Sequence, residues 1–188
     1  TYMTKWVTLK DMTYNDWLIT TTKRLQATSH TARLDADVLL GVVTGKTKAH
    51  ILAYIDTQLT TSQLQELELL LMRRLNGEPM AYITGKAEFY GHLISVNKHV
   101  LVPRPESESF LDILQDLRKT NRVHNLIDIG TGSGSLAIAV KRAHPDMYVT
   151  ATDISKAALM VASTNILSHK APVTLRKQSL LTGDKEGY

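Results

Sequence analysis

The sequence predicts an α/β fold: a small N-terminal helical bundle, a β-hairpin linker, then a parallel-sheet domain. Three observations carry this. Residues 125–153, NLIDIGTGSGSLAIAVKRAHPDMYVTATD, read as strand, glycine turn, helix, strand. Residues 13–77 hold apolar side chains at helical spacing, interrupted by Gly45 and closed by Gly77. Between them, residues 79–102 turn aromatic and β-branched around single glycines. The expected divisions are 1–78 for the bundle, 79–106 for the linker and 107–188 for the sheet domain.

Composition sets the outer bounds. A chain of 188 residues with 43% hydrophobic and 21% charged residues has ample material for a core. The absence of cysteine excludes a disulfide framework and thiolate metal sites, and suits a reducing cytoplasm. No apolar run approaches a membrane span, and no charged-then-apolar leader opens the sequence, so no membrane role is expected. A net charge of +4 is scattered, and the local cluster His169, Lys170, Arg176, Lys177 reads as a solvated face. No direct nucleic-acid contact is expected. The seven histidines lack ligand spacing, so no metal is expected and they read as surface or structural groups.

In order, Tyr14, Trp17, Leu18 and Leu25 mark a first helix. A second runs from about Thr31 to Gly45 with Leu34, Val38, Leu39, Val42 and Val43 inward, and a third from Lys48 to Ile55 with Ile51, Leu52 and Tyr54. Thr60 with Gln63 three positions on is a capping box for a fourth, whose stripe is Leu64, Leu67, Leu70, Leu71 and Leu75. Tyr82-Ile83 and Ala87 to Val96 are expected as extended chain, with a hairpin turning at Gly91-His92. Pro103 and Pro105 then stiffen the backbone around Arg104. Glu106 and Glu108 fall in the first turn of a helix from Ser107 to about Leu117, where carboxylates suit the helix dipole. This trio reads equally as a capped helix with surface charges or as part of a site.

The glycine turn selects its ligand by spacing. A dinucleotide fingerprint needs glycine at its first, third and sixth positions, and the sixth here is Ser135. Instead, Gly130, Gly132 and Gly134 give D-x-G-x-G-x-G from Asp128. Asp153 closes the second strand, placed to accept from both hydroxyls of a ribose. An adenosine with no required pyrophosphate fits. The pattern resembles motif I and its acidic partner in Rossmann-like class I S-adenosylmethionine-dependent methyltransferases.

The run EPMAYITGKAEFYGHLISVNKHVLVPRPESE, followed by DIGTGSG and ATD, resembles the HemK family over nearly the whole chain. These enzymes methylate the glutamine side-chain amide in the GGQ motif of peptide chain release factors. The resemblance implies S-adenosyl-L-methionine as cofactor, held by Gly130, Thr131, Gly132, Ser133 and Gly134, with Asp153 on the ribose. A third strand over Val173 to Leu180 would follow the helix Ser155 to Leu167, with Leu180 against adenine. The family's aspartate beside that position is Ser179 here, and the usual threonine of the RPETE pattern is Ser107.

The resemblance also implies that the catalytic motif, NPPY, belongs to a fourth strand. That motif does not occur in the 188 residues, so the chain as given is expected to supply no catalytic residue and no turnover. The helical bundle is expected to recognise or orient the protein partner. Without a fourth strand, Leu126 to Ile129 would expose an apolar edge and favour self-association. Two other readings stay open: a class I N-methyltransferase acting on nucleic acid, against which the RPESE linker argues, and a non-catalytic module that binds a release factor or the ribosome.

Overall fold

The computed structural model describes residues 11–120 and 123–179. The chain divides into two compact units, Thr1–Thr84 and Gly85–Tyr188.

The first unit is helical: α1 (Tyr14–Leu25), α2 (Ala32–Thr44), α3 (Lys48–Ala53), α4 (Thr61–Leu75) and α5 (Met80–Thr84). Two starts are fixed by capping boxes, Thr13 with Asp16 and Thr60 with Gln63. α2 ends at Gly45, whose φ of +67° gives the left-handed cap that a side chain would disfavour. Trp17, Leu18, Leu25, Leu39, Leu40, Leu67 and Leu71 form the buried core.

Three expectations are corrected here. α2 does not bury Leu34 and Val42, which are exposed, but the adjoining face of Ala32, Asp35, Ala36, Leu39 and Leu40. The reason is Asp35. Its carboxylate is buried because Arg74 Nε donates to it at 2.7 Å and the Ser29 and Thr31 hydroxyls complete its shell. Likewise α3 buries Ile51 while Leu52 and Tyr54 stay exposed. Tyr82-Ile83 is helical rather than extended: the Pro79 carbonyl accepts from both the Tyr82 and Ile83 N–H groups, and Ile83 enters the helical core.

The second unit opens with a hairpin, β1 (Lys86–Phe89) and β2 (His92–Ser95), in the register Phe89↔His92. Its two-residue turn is Tyr90-Gly91, one position earlier than expected. Both residues have positive φ, +48° and +72°, which matches the twist of the flanking strands. A 3-10 turn over Pro105–Glu108 leads into α6 (Ser109–Thr120). Then β3 (Asn125–Ile129), α7 (Ser135–Ala143), β4 (Tyr148–Asp153), α8 (Lys156–Ser168) and β5 (Thr174–Lys177) follow. The three strands are parallel in the order β3-β4-β5, with Ile129 opposite Thr152 and Asp153 opposite Lys177. Successive parallel strands joined by helices place the β3–α7 turn and the end of β4 at one edge of the sheet.

Among the described residues, no helix is long and apolar enough to cross a membrane. Nor does any group of three or more histidine, aspartate or glutamate side chains there offer a metal site.

Candidate functional site

The site grows from the turn between β3 and α7. Gly130, Gly132 and Gly134 all have positive φ, at +75°, +56° and +79°, a region that side chains make costly. A Cβ on Gly130 or Gly132 would meet nothing within 4 Å, so these two glycines face open space. A Cβ on Gly134 would lie 3.2 Å from the Ala162 Cβ, so this glycine serves close packing of the turn against α8.

β4 holds the turn in shape. The Thr152 carbonyl accepts from the Gly130 and Thr131 N–H groups at 2.8 and 2.9 Å. The Asp153 carboxylate accepts from Gly132 N–H on Oδ2 at 3.0 Å and from Ser155 N–H on Oδ1 at 2.8 Å. Each oxygen retains a further lone pair, so a diol can still be received. Thr131 Oγ1 donates to Asp128 Oδ2 at 2.6 Å. Burial pushes the Asp128 carboxyl above the usual aspartate value, and the nearby Asp153 adds to the rise. The Thr131 hydroxyl and the Ala137 N–H oppose it by favouring the charged form.

A cavity of about 190 Å³ opens between this turn and the linker. Gly130, Thr131, Gly132 and Ser133 line it together with Asp128 and, from the linker, Phe89, Pro103 and Arg104. Gly134 and Asp153 lie outside its wall: Gly134 begins α7, and Asp153 stands at the end of β4 behind Gly132. Leu180 lies outside the described residues. One arginine and one aspartate share the lining of this cavity with the turn backbone. It is smaller than the ~300–1,000 Å³ typical of whole small-molecule pockets, a size for one end of an extended ligand.

The ambiguous trio around Arg104 separates here. Arg104 faces the cavity, whereas Glu108 Oε1 accepts from the Tyr90 N–H at 2.9 Å and so secures the hairpin turn. Glu106 is exposed, and its backbone carbonyl accepts from the Ser109 hydroxyl at 2.7 Å.

Sequence reasoning passed over two residues. Asp128 was present as the first letter of the glycine motif but not as a cavity-lining charge. Asn165 falls within the helix expected from Ser155 to Leu167, yet it is wholly buried beneath the turn. The available signal was an amide inside the apolar run ALMVASTNIL, which buries only when its hydrogen bonds are met.

Comparison with known proteins agrees with this architecture. The PrmC N-terminal domain family matches residues 16–85, and the methyltransferase small domain family matches residues 107–188. The release factor glutamine methyltransferase of Coxiella burnetii (strain RSA 493 / Nine Mile phase I) is 42% identical over 149 residues, covering 79% of this chain and 53% of that protein. Its namesake in Escherichia coli (strain K12) is 39% identical over 155 residues, covering 82% and 55%. A bifunctional methyltransferase of Rickettsia typhi (strain ATCC VR-144 / Wilmington) is 40% identical over 154 residues, covering 72% and 30%. The chain thus spans about half the length of the first two relatives. With a PrmC-type helical domain, the RPESE linker and the glycine turn in one sequence, the chain belongs to the HemK family of release factor glutamine methyltransferases.

Proposed function

We propose that the protein represented by this chain transfers a methyl group from S-adenosyl-L-methionine to the glutamine side-chain amide in the GGQ motif of peptide chain release factors, in the cytoplasm. The methyl passes from the sulfonium to the amide nitrogen, the amide gives up a proton, and S-adenosylhomocysteine leaves. Residues 1–188 carry the cofactor half of this chemistry. The observation that supports it most is the cavity that joins Arg104, Asp128 and the open faces of Gly130 and Gly132.

A guanidinium and a carboxylate across a small cavity complement the carboxylate and ammonium of an amino acid. Arg104 and Asp128 would hold the methionine end of the cofactor. The backbone of Gly130 to Gly134 would pass the chain of the ligand toward Asp153, which would receive the ribose diol. Leu180 would cover the base. No residue of this chain is assigned to orienting the amide, so the part played here is binding, not turnover. An amide nitrogen has its lone pair delocalised into the carbonyl, and its methylation depends on such orientation.

Calorimetric titration with S-adenosylhomocysteine tests the reading. A saturable heat that Asp153→Ala abolishes supports it. Equal affinity for 5′-methylthioadenosine, which lacks the amino-acid end, would remove Arg104 and Asp128 from the site. No heat from the folded chain would overturn the cofactor assignment for residues 1–188. Methylated release factor formed by this chain alone would overturn the division between binding and turnover.

A further inference from the structure

We propose that Asn165 is a positioning residue that ties the hairpin to the cofactor turn, so that ordering one orders the other; this rests on the reading of the turn as the cofactor site. Asn165 lies on α8 with no exposed surface. Its side-chain amide makes three hydrogen bonds, all to backbone. Nδ2 donates to the Ser133 carbonyl at 2.9 Å and to the Ser95 carbonyl at 2.9 Å, and Oδ1 accepts from the Ser95 N–H at 2.8 Å. One amide therefore holds both backbone groups of a β2 residue and the carbonyl of the turn residue between Gly132 and Gly134.

The arrangement has a geometric basis. In the hairpin register Phe89↔His92 closes the turn and Ala87↔Ile94 repeats its orientation two residues on, while Glu88↔Leu93 and Lys86↔Ser95 alternate with them. The polar backbone groups of Leu93 and Ser95 point away from β1, along the open edge of the hairpin. α8 caps that edge with side chains. Asn165 takes Ser95, and four residues on, His169 Nε2 donates to the Leu93 carbonyl at 3.0 Å. A four-residue helical step rises ~6 Å, and a two-residue strand step advances ~6.8 Å, so the two spacings coincide. His169 holds the edge and packs its ring against His92. Asn165 also reaches onward to the Ser133 carbonyl.

A buried amide that loses one partner is expensive, because the partner left behind also lies away from water. Movement of the Ser133 carbonyl away from Asn165 is therefore opposed by the same group that fixes Ser95. Binding a ligand in the turn suppresses that movement and, by reciprocity, stiffens β2.

The test follows amide hydrogen exchange and S-adenosylhomocysteine affinity in the wild-type chain, Asn165→Ala, and Val161→Ala, a buried change one helical turn earlier that removes none of the three Asn165 hydrogen bonds. In wild type, saturating S-adenosylhomocysteine is expected to slow exchange at the Ser95 N–H, a group outside the cavity lining and held by Asn165 Oδ1. Unchanged Ser95 exchange in a chain that binds overturns the proposal without any variant. In Asn165→Ala, exchange at Ser95, Gly132 and Gly134 is expected to rise together, and affinity to fall about tenfold below that of Val161→Ala at matched stability. A rise at Ser95 alone, or affinities equal in the two variants, overturns it. If wild type binds no S-adenosylhomocysteine, the cofactor reading fails separately. The joint or split rise in exchange at Ser95, Gly132 and Gly134 then still decides for or against the clasp.

Discussion

Gly132 N–H donates to Asp153 Oδ2 at 3.0 Å, linking the glycine turn to the end of the next strand across 21 positions of sequence. With Ser155 N–H on the other oxygen, one carboxylate shapes the turn and starts the following helix before any ligand arrives. Asp153 is thus structural in its own right, and the proposed function would add the ribose diol to the same carboxylate. Asp153→Ala leaves two backbone donors without their acceptor and is expected to lower stability by about 1–3 kcal/mol, measured by urea denaturation. Asp153→Asn keeps one acceptor and should lose less. Equal stability of Asp153→Ala and wild type would show that water replaces the carboxylate freely.

Much of this site was legible because glycine spacing and a strand-end carboxylate are local signals. Gly130, Gly132, Gly134 and Asp153 act through their own backbone or a single side chain. Asp35 and Asn165 were not legible in the same way. Each is a polar residue whose burial depends on a partner far along the chain: Arg74 for Asp35, Ser95 and Ser133 for Asn165. Periodicity weighs polarity position by position, so it turned α2 toward Leu34 and Val42 and away from Asp35. The hairpin slipped by one residue for a related reason. Tyr90 was an unexpected residue for positive φ, and its N–H is held by Glu108, 18 positions later.

The Asp35–Arg74 pair should dominate the stability of the helical unit. Both side chains are largely buried, with 5% and 18% exposure, so removing one partner strands a charge. Arg74→Leu is expected to cost about 3–5 kcal/mol. The double variant Asp35→Leu/Arg74→Leu should recover part of that loss. Additive losses in a thermal or urea double-mutant cycle would show that the pair is not coupled.

Gly130→Ala and Gly134→Ala separate backbone strain from crowding. Both positions have similar positive φ, but only Gly134 lies against Ala162. Gly130→Ala is expected to lose about 1–2 kcal/mol from the left-handed backbone alone. Gly134→Ala should lose more, and Ala162→Gly should return part of the difference only in the Gly134→Ala background. A rescue of both variants by Ala162→Gly would contradict the assigned contact.

β3 pairs on one side with β4 and stands at an edge of the described sheet. Ile129 at its end is 43% exposed. An open strand edge with apolar side chains recruits another strand, so the chain is expected to self-associate with rising concentration. Ile129→Lys should shift light scattering toward monomer. A monodisperse wild-type monomer at high concentration would count against edge pairing.

Asp128 should give the second unit a pH dependence of defined sign. Its folded pKa is raised, first by burial and then by Asp153. Between the ordinary aspartate value and this raised one, the folded chain keeps a proton that the unfolded chain has released. Stability from Asp128 is therefore full below the ordinary value and is lost as pH rises through the raised one. Asp16 and Asp146 are shifted the other way, Asp16 by the Thr13 hydroxyl and Asp146 by the Arg118 hydrogen bond. Their contributions are lost as pH falls below the ordinary value, so the two windows do not overlap. Asp128→Asn should flatten the decline in urea midpoint on raising pH from about 4 upward and leave the acid limb intact. A decline that persists in Asp128→Asn would move its origin to another group.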